Sequence, residues 1–452
     1  MTRVLGNKRI VLCMCAGLLV AGGAGLGACA AKPNPGNPVP SAQKAAETPA
    51  TDEFGIVDAD SWKDIYPHQY ASYLQNAEKT PPWSEYESAA SEDTTSAKPD
   101  GFQATDSGTG DKLEAKPEMK SLGKGYGYAK YYTEPASHVY SLWTVTHNGR
   151  INDKSKTGCI ACKTPQFSAQ VEQEGDGIFQ KSFSDYVSQY TENVSCASCH
   201  GNDPTELRVD RAQWRQVMAN DTTASMEGQV CGQCHCDYSM YPGTGVPTSP
   251  YTDGRASMTP DAALAWYDAN MPDGDWTYES TGAKMIAVRH AEYEFNYGGE
   301  GNHMTNLGYD CSDCHMAVKT ASDGTAYTNH DWNNPTDNDE LISRDCSKCH
   351  KDLKSEVKAW QDEIDTRTHN LGLREEKATK NFEDAIAAGT LSDEQKARLQ
   401  KIQRDAGYYW NLCTAENSKG AHNPSLFRET LAKGEKLMEE ADQILGVSSQ
   451  VD

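Results

Sequence analysis

The chain has 452 residues but little of the material of an ordinary core. Hydrophobic residues make up 37% of it, and its mean hydropathy is −0.72. Both are low for a length that can bury a large interior and divide into two or three domains. Something other than side chains must fill part of that interior. Basic residues are also scarce: 42 Lys and Arg stand against 65 Asp and Glu, for a net charge of −23. Such a surface repels a phosphate backbone, which excludes nucleic acid as a partner. It does not exclude a small anion, because the local field at a site can oppose the global sign. No Gly-x-Gly-x-x-Gly fingerprint occurs, so the chain carries no nicotinamide or flavin motif of that kind. Beyond the N-terminus no segment approaches the ~18–20 apolar residues of a membrane span.

The N-terminus reads as an export signal. Arg3, Lys8 and Arg9 precede an apolar run from Ile10 to about Leu26, followed by Leu26-Gly27-Ala28-Cys29. Small residues before a cysteine resemble a bacterial lipobox. Residues 1–28 are then a lipoprotein signal peptide, and Cys29 is the lipidated first residue. An uncleaved anchor or an ordinary signal peptide would export the chain equally. Each reading puts the rest outside the cytoplasm, in the periplasm or on the outer face of the cytoplasmic membrane; the lipobox reading adds membrane contact through a lipid anchor. Residues 29–52, rich in Pro, Ala and Asn, read as a flexible tether. Cys13 and Cys15 belong to the signal.

The other cysteines are ordered. Ten form five Cys-x-x-Cys pairs: Cys159/Cys162, Cys196/Cys199, Cys231/Cys234, Cys311/Cys314 and Cys346/Cys349. Four pairs are followed at once by histidine, namely His200, His235, His315 and His350, and the first by Lys163. Cys236 and Cys413 are left over. Cys-x-x-Cys-His is the attachment signature of c-type haem: two thiols add across the vinyl groups, and the adjacent histidine reaches the iron from the same turn. Zinc sites and structural disulfides have no need of a histidine fixed at this position. Haem also explains the missing core, since each is a large apolar plate. Lys163 is the exception that suggests an enzyme. A deprotonated amine can ligate iron, and a haem with a single protein ligand leaves its other side open to substrate.

The predicted fold is mainly α, a multihaem cytochrome c with an irregular haem-wrapping region and long C-terminal helices. Residues 53–350 carry the haem motifs amid many Gly, Asn, Asp and Tyr, with a surface loop over 86–115. Residues 351–447 form a helical region. Leu353, Val357, Ile364, Leu371 and Phe382 recur at helical spacing. Ser392 with Gln395 fits a capping box opening a second helix to about Leu412, and a third spans about 425–446.

Bis-histidine ligation of four haems needs four more histidines, and His68, His138, His147, His290, His303, His330, His369 and His422 are more than enough. Counting alone does not assign them. The pattern of five haems with the first attached through Cys159-Ile-Ala-Cys162-Lys163 resembles the ammonia-forming cytochrome c nitrite reductases, over nearly all of the mature chain. That resemblance implies axial pairs of His138 with His235, His330 with His200, His422 with His315 and His303 with His350. It leaves His68, His147 and His369 as ordinary polar residues. It implies a substrate pocket of Arg150, Tyr238 and His290 around the Lys163 haem. Nitrite, an anion, would there take six electrons and eight protons to become ammonium. The other haems relay electrons.

The chain departs from the best-known members, which bind calcium beside the active haem. Asp237 stands where they have a glutamate, and Ala287-Val288-Arg289 precedes His290. A guanidinium cannot ligate calcium but can take the cation's place. The chain therefore resembles a calcium-independent subclass, with Arg289 paired to Asp237. The stretch from Arg150 to Cys159 is short, which alters the pocket rim. The resemblance further implies a homodimer through the C-terminal helices. It implies a membrane-bound multihaem quinol dehydrogenase or another multihaem cytochrome as electron donor. Rival readings are a hydroxylamine or sulfite reductase, and a pure electron-conduit multihaem cytochrome with two axial ligands on every iron.

Overall fold

The computed structural model describes residues 47–79, 113, 116–130, 138–146, 150–221 and 224–451. The signal peptide, Cys29, most of the tether, nearly all of the 86–115 loop and His147 lie outside the described residues. The fold is mainly helical, as its sequence predicts. Among the described residues strands are confined to three antiparallel hairpins: Ser239–Met240 with Pro247–Thr248, Trp276–Thr277 with Lys284–Met285, and Val318–Thr320 with Ala326–Thr328.

Up to residue 350 the helices are short, because Pro, Asn, Asp and Gly start and stop them within a few turns. Pro165–Glu174 is typical. Thr164 caps it by accepting from the Gln166 amide, Pro165 sets its first turn, and Gly175 ends it at φ 77°. One apolar cluster lies under the first two motifs and includes Ile160, Phe167, Phe179, Phe183 and Ala197.

After residue 350 the chain makes three long helices: Leu353–Ala388, Asp393–Ala415 and Pro424–Leu445. Their ends follow local chemistry. Ser392 and Gln395 form the expected reciprocal capping box, with bonds of 3.1 and 3.0 Å. Gly389 and Gly446 close two helices in the left-handed conformation that glycine takes without strain. Ile364, Leu371 and Phe382 are buried on the first helix as the periodicity predicts, whereas Leu353 and Val357, nearer its start, are only partly covered. Each buried side chain of this kind contributes about 1.5–3 kcal/mol. Gly434 allows the first and third helices to approach: a Cβ there would lie 2.7 Å from Leu371 Cδ2. Across the same interface Arg374 pairs with Asp442 at 3.0 Å.

This bundle is also the back wall of the candidate site. Its core is continuous with Trp214, Tyr251, Tyr267, Val288 and Tyr293. Asn411 on the second helix accepts the Val288 amide at 2.7 Å, which fixes the segment carrying Arg289 and His290. No helix among the described residues is long and apolar enough to cross a membrane.

Candidate active site

Each motif lies in or beside a helical turn, which brings its cysteines and the following residue to one side. Cys196–His200 and Cys311–His315 are single α-helical turns opened by capping boxes at Ser195 and Asp310. The His235 amide donates to the Cys231 carbonyl and the His350 amide to the Cys346 carbonyl, both at 2.9 Å. In the first motif the Lys163 amide donates to the Ile160 carbonyl at 2.9 Å, so lysine stands where the others hold histidine.

The residues fit haem iron. Two imidazoles on opposite sides of one metal, each bonded at about 2 Å, hold their ring centroids about 6 Å apart. The centroids of His138 and His235 are 6.1 Å apart, of His200 and His330 6.3 Å, and of His315 and His422 6.0 Å. In several of these rings Nδ1 is already engaged. His200, His315 and His330 bond the carbonyls of Glu206, Asn333 and Thr328 at 2.8, 2.9 and 2.9 Å. His422 bonds the Glu416 carboxylate at Nδ1. The Nε2 atoms are left for the metal, and such outer bonds fix a ligand ring's orientation. Burial lowers the pKa of His138 to about 3 and of His315 and His330 to about 4, which keeps those rings neutral, the form that ligates. Trp332, at an unusual φ of 38°, packs edge-on against His138 with centroids 4.4 Å apart.

The fifth motif lies in the short turn Cys346–Lys348, with Cys346 partly buried and Cys349 exposed just beyond it. His350 bonds Glu356 at 2.7 Å and packs on Trp360, while its expected partner His303 opens the short helix His303–Asn306 and is exposed. The two remaining histidines among the described residues have other partners: His68 stacks on Tyr327 and meets Asp323 at 3.3 Å, and His369 bonds Glu118 at 3.0 Å.

The pocket residues converge on the first motif. Lys163 is within electrostatic range of Arg150, Cys159 and Cys162, and of His290 in turn. Burial pushes its pKa down, and no carboxylate forms an ion pair with it among the described residues. The Arg150 guanidinium lies over the Tyr128 ring at 4.9 Å. Burial, then the neighbouring Cys162, holds Tyr238 protonated. The centroids of His290 and His235 are 5.3 Å apart, and Glu292 Oε2 lies 3.6 Å from Nδ1 of the former and 3.7 Å from that of the latter. Burial lowers the His290 pKa, and the Glu292 carboxylate opposes that effect.

Arg289 is held differently from the expectation. Its partner is Asp275, at 2.8 Å, and not Asp237. The guanidinium also donates to the carbonyls of Tyr238 and Ala287 at 3.0 and 2.6 Å and to the Tyr126 hydroxyl at 3.2 Å. Its charge fills a cage of oxygens of the kind a hard divalent cation uses. The Asp237 carboxylate turns the other way, accepting from Tyr267 at 3.0 Å and Tyr408 at 3.3 Å. Burial raises its pKa to about 7, although Arg289 opposes this.

Glu292, Asp275, Tyr126 and Tyr128 were not singled out in the sequence. Only Glu292 carried a signal, two residues beyond His290. The other three reach the site through tertiary packing.

The profile of the cytochrome c552 family matches residues 58–450. The chain is 28% identical over 422 residues to the cytochrome c nitrite reductase subunit NrfA of Nitratidesulfovibrio vulgaris, covering 84% of this chain and 77% of that one. It is 26% identical over 387 residues to cytochrome c-552 of Bacteroides fragilis, covering 82% and 72%. Among solved structures it superposes on the cytochrome c nitrite reductase of Desulfovibrio desulfuricans with a TM-score of 0.70 at 24% identity, covering 87% of this chain and 86% of that one. That structure, described for its two calcium sites, supports the fold alone at such an identity.

Proposed function

The chain belongs to the cytochrome c552 family, and on that premise we propose that it reduces nitrite to ammonium in respiration, at a haem c ligated by Lys163. Covalent haem c supplies the iron that binds nitrite and the redox centres that carry electrons to it. The observation that carries the reading is the convergence of Lys163, Arg150, Tyr238 and His290 on the first motif, with the lysine amine unpaired by any carboxylate among the described residues. Burial favours the neutral amine, the form that donates a lone pair. Arg150, with Arg289 behind Tyr238, gives a positive field in an otherwise acidic protein and draws in an anion. The Tyr238 hydroxyl donates a hydrogen bond to substrate oxygen, which stabilises charge that develops there. His290, steadied by Glu292, delivers a proton as an N–O bond breaks.

Four further haems, held at the histidine motifs, would store and relay electrons. The histidine pairs that would hold three of them, on ring spacing, are His138 with His235, His330 with His200 and His422 with His315. His303 with His350 completes the set by resemblance. The Cys162 thiol interacts with that of Cys234, and the Cys231 thiol with that of Cys311, which supports a path through the fourth, third and first motifs in turn. The occupied oxygen cage supports Arg289 acting in place of calcium. The mature protein is exported, anchored through Cys29, dimeric through its C-terminal helices, and fed by a membrane-bound quinol dehydrogenase or another multihaem cytochrome.

Turnover of the haem-loaded protein with reduced viologen and nitrite tests the reading. Ammonium as the product supports it. Haem reduction and reoxidation by artificial acceptors without ammonium would leave an electron conduit.

A further inference from the structure

The second long helix, Asp393–Ala415, grips the Arg289 cage at two points. Asn411 holds the arginine's own segment through the Val288 amide. Arg404 stands seven residues earlier, two turns back on the same face, and holds the side that carries the acid. It is 4% exposed. Its Nε donates to Asp268 Oδ1 at 2.9 Å, Nη1 to the Lys284 carbonyl at 2.5 Å and Nη2 to the Met271 carbonyl at 3.0 Å. One guanidinium thus ties together the two ends of the stretch from Met271 to Lys284, and Asp275 lies inside it.

Within that tie Asp275 has little freedom. Its amide donates to the Met285 carbonyl at 2.8 Å. Gly274, just before it, has a φ of 64°, and a Cβ there would lie 2.2 Å from the Met285 carbonyl oxygen and 3.1 Å from Arg404 Nη1. Only glycine fits so close a passage. The Asp275 carboxylate then meets Arg289 at 2.8 Å, and Arg289 bonds the Tyr238 carbonyl at 3.0 Å. A short run of contacts therefore leads from Arg404 through Asp275 and Arg289 to the pocket tyrosine. The residue type suits the task. A planar guanidinium serves three acceptors in fixed directions, whereas an ammonium keeps the charge but not the fork. The charge itself is answered by Asp268, which Lys401 shares at 2.8 Å.

We propose that Arg404 is a positioning residue for the nitrite site: it fixes Asp275 in register with Arg289, and through that pair it fixes Tyr238 against substrate. The proposal rests on the activity proposed above. It adds a residue that touches neither substrate nor haem and acts through the acid.

The experiment measures viologen-linked ammonium formation from nitrite by wild type, Arg404→Lys, Asp275→Asn and the double variant, each at measured haem content. Arg404→Lys lowers kcat about tenfold with KM within about twofold, because a misplaced pocket donor weakens the transition state more than the bound substrate. The double variant falls no further than the worse single one, since both substitutions act through the same acid. Losses in kcat that multiply would overturn the proposal. So would an Arg404→Lys protein that unfolds more easily yet turns over at the wild-type rate, which would leave Arg404 a strut of the fold. If Arg404→Lys does not fold, Asp268→Ala replaces it: that side chain is 34% exposed, and its loss frees the guanidinium. A fall in kcat that is again non-additive with Asp275→Asn supports the proposal; a fall that multiplies, or none, overturns it. Wild type that forms no ammonium is a separate result: it removes the proposed activity, and the positioning role with it.

Discussion

Replacing Asp275 by asparagine should destabilise the folded protein by about 3 kcal/mol. Each carboxylate oxygen accepts two bonds. Oδ1 takes Arg289 Nη2 at 2.8 Å and Ser239 Oγ at 3.0 Å; Oδ2 takes the Ala287 amide at 2.9 Å and Arg289 Nη1 at 3.4 Å. Asparagine offers one acceptor oxygen and one donor amide, so one pair of donors loses its acceptor and faces another donor. Removing one partner of a buried ion pair costs about 3–5 kcal/mol. The lower end applies, because the Arg289 side chain is 14% exposed and keeps the Tyr238 and Ala287 carbonyls. Denaturant unfolding of haem-loaded wild type and variant reads the difference, provided the slopes agree. The pH dependence has a definite sign. Burial alone would raise the Asp275 pKa, but Arg289 and the hydrogen bonds outweigh it and hold the group below the usual range. Its stabilisation is therefore present in full above the unfolded value of about 3.9 and is lost as pH falls through the folded one. The gap between wild type and variant should hold from about pH 5 to about pH 8 and close in stronger acid. A gap under about 1 kcal/mol at pH 7, or one that widens on acidification, would refute this account of the cage.

Three other outcomes follow from the site. Dialysis against a calcium chelator should leave viologen-linked nitrite turnover unchanged and elemental analysis should find calcium well below one per chain; stoichiometric calcium that survives chelation would show that Arg289 does not take its place. Glu292→Gln should lower kcat about 10–100-fold with little change in KM, because one carboxylate steadies both His290 and His235. Lys163→His should retain haem but change the axial ligand field, with an altered spectrum of one haem and about a tenfold or greater loss of turnover; an unchanged spectrum would remove Lys163 from the iron.

Much of the fold was legible where the governing chemistry is local. The capping box at Ser392 and Gln395 and the apolar spacing of Ile364, Leu371 and Phe382 need only neighbours in sequence, and the long helices stand where those signals put them. The five Cys-x-x-Cys spacings are local in the same way, and each falls in or beside a helical turn. The lining of the pocket was less legible. Asp237 is the expected partner of Arg289 because the resemblance puts it at the position of a calcium-binding glutamate, with the guanidinium in the cation's place. The hairpin of Trp276–Thr277 with Lys284–Met285 instead brings Asp275 to the guanidinium, while two tyrosines draw Asp237 away. Tyr126 and Tyr128 come from a segment with no periodic signal.

The most direct measurement is an electron count. Reduced viologen oxidised per nitrite consumed should be six, with one ammonium formed, at full haem content. A ratio near one or two electrons with a gaseous nitrogen product, or no nitrite consumption at all, would contradict the account.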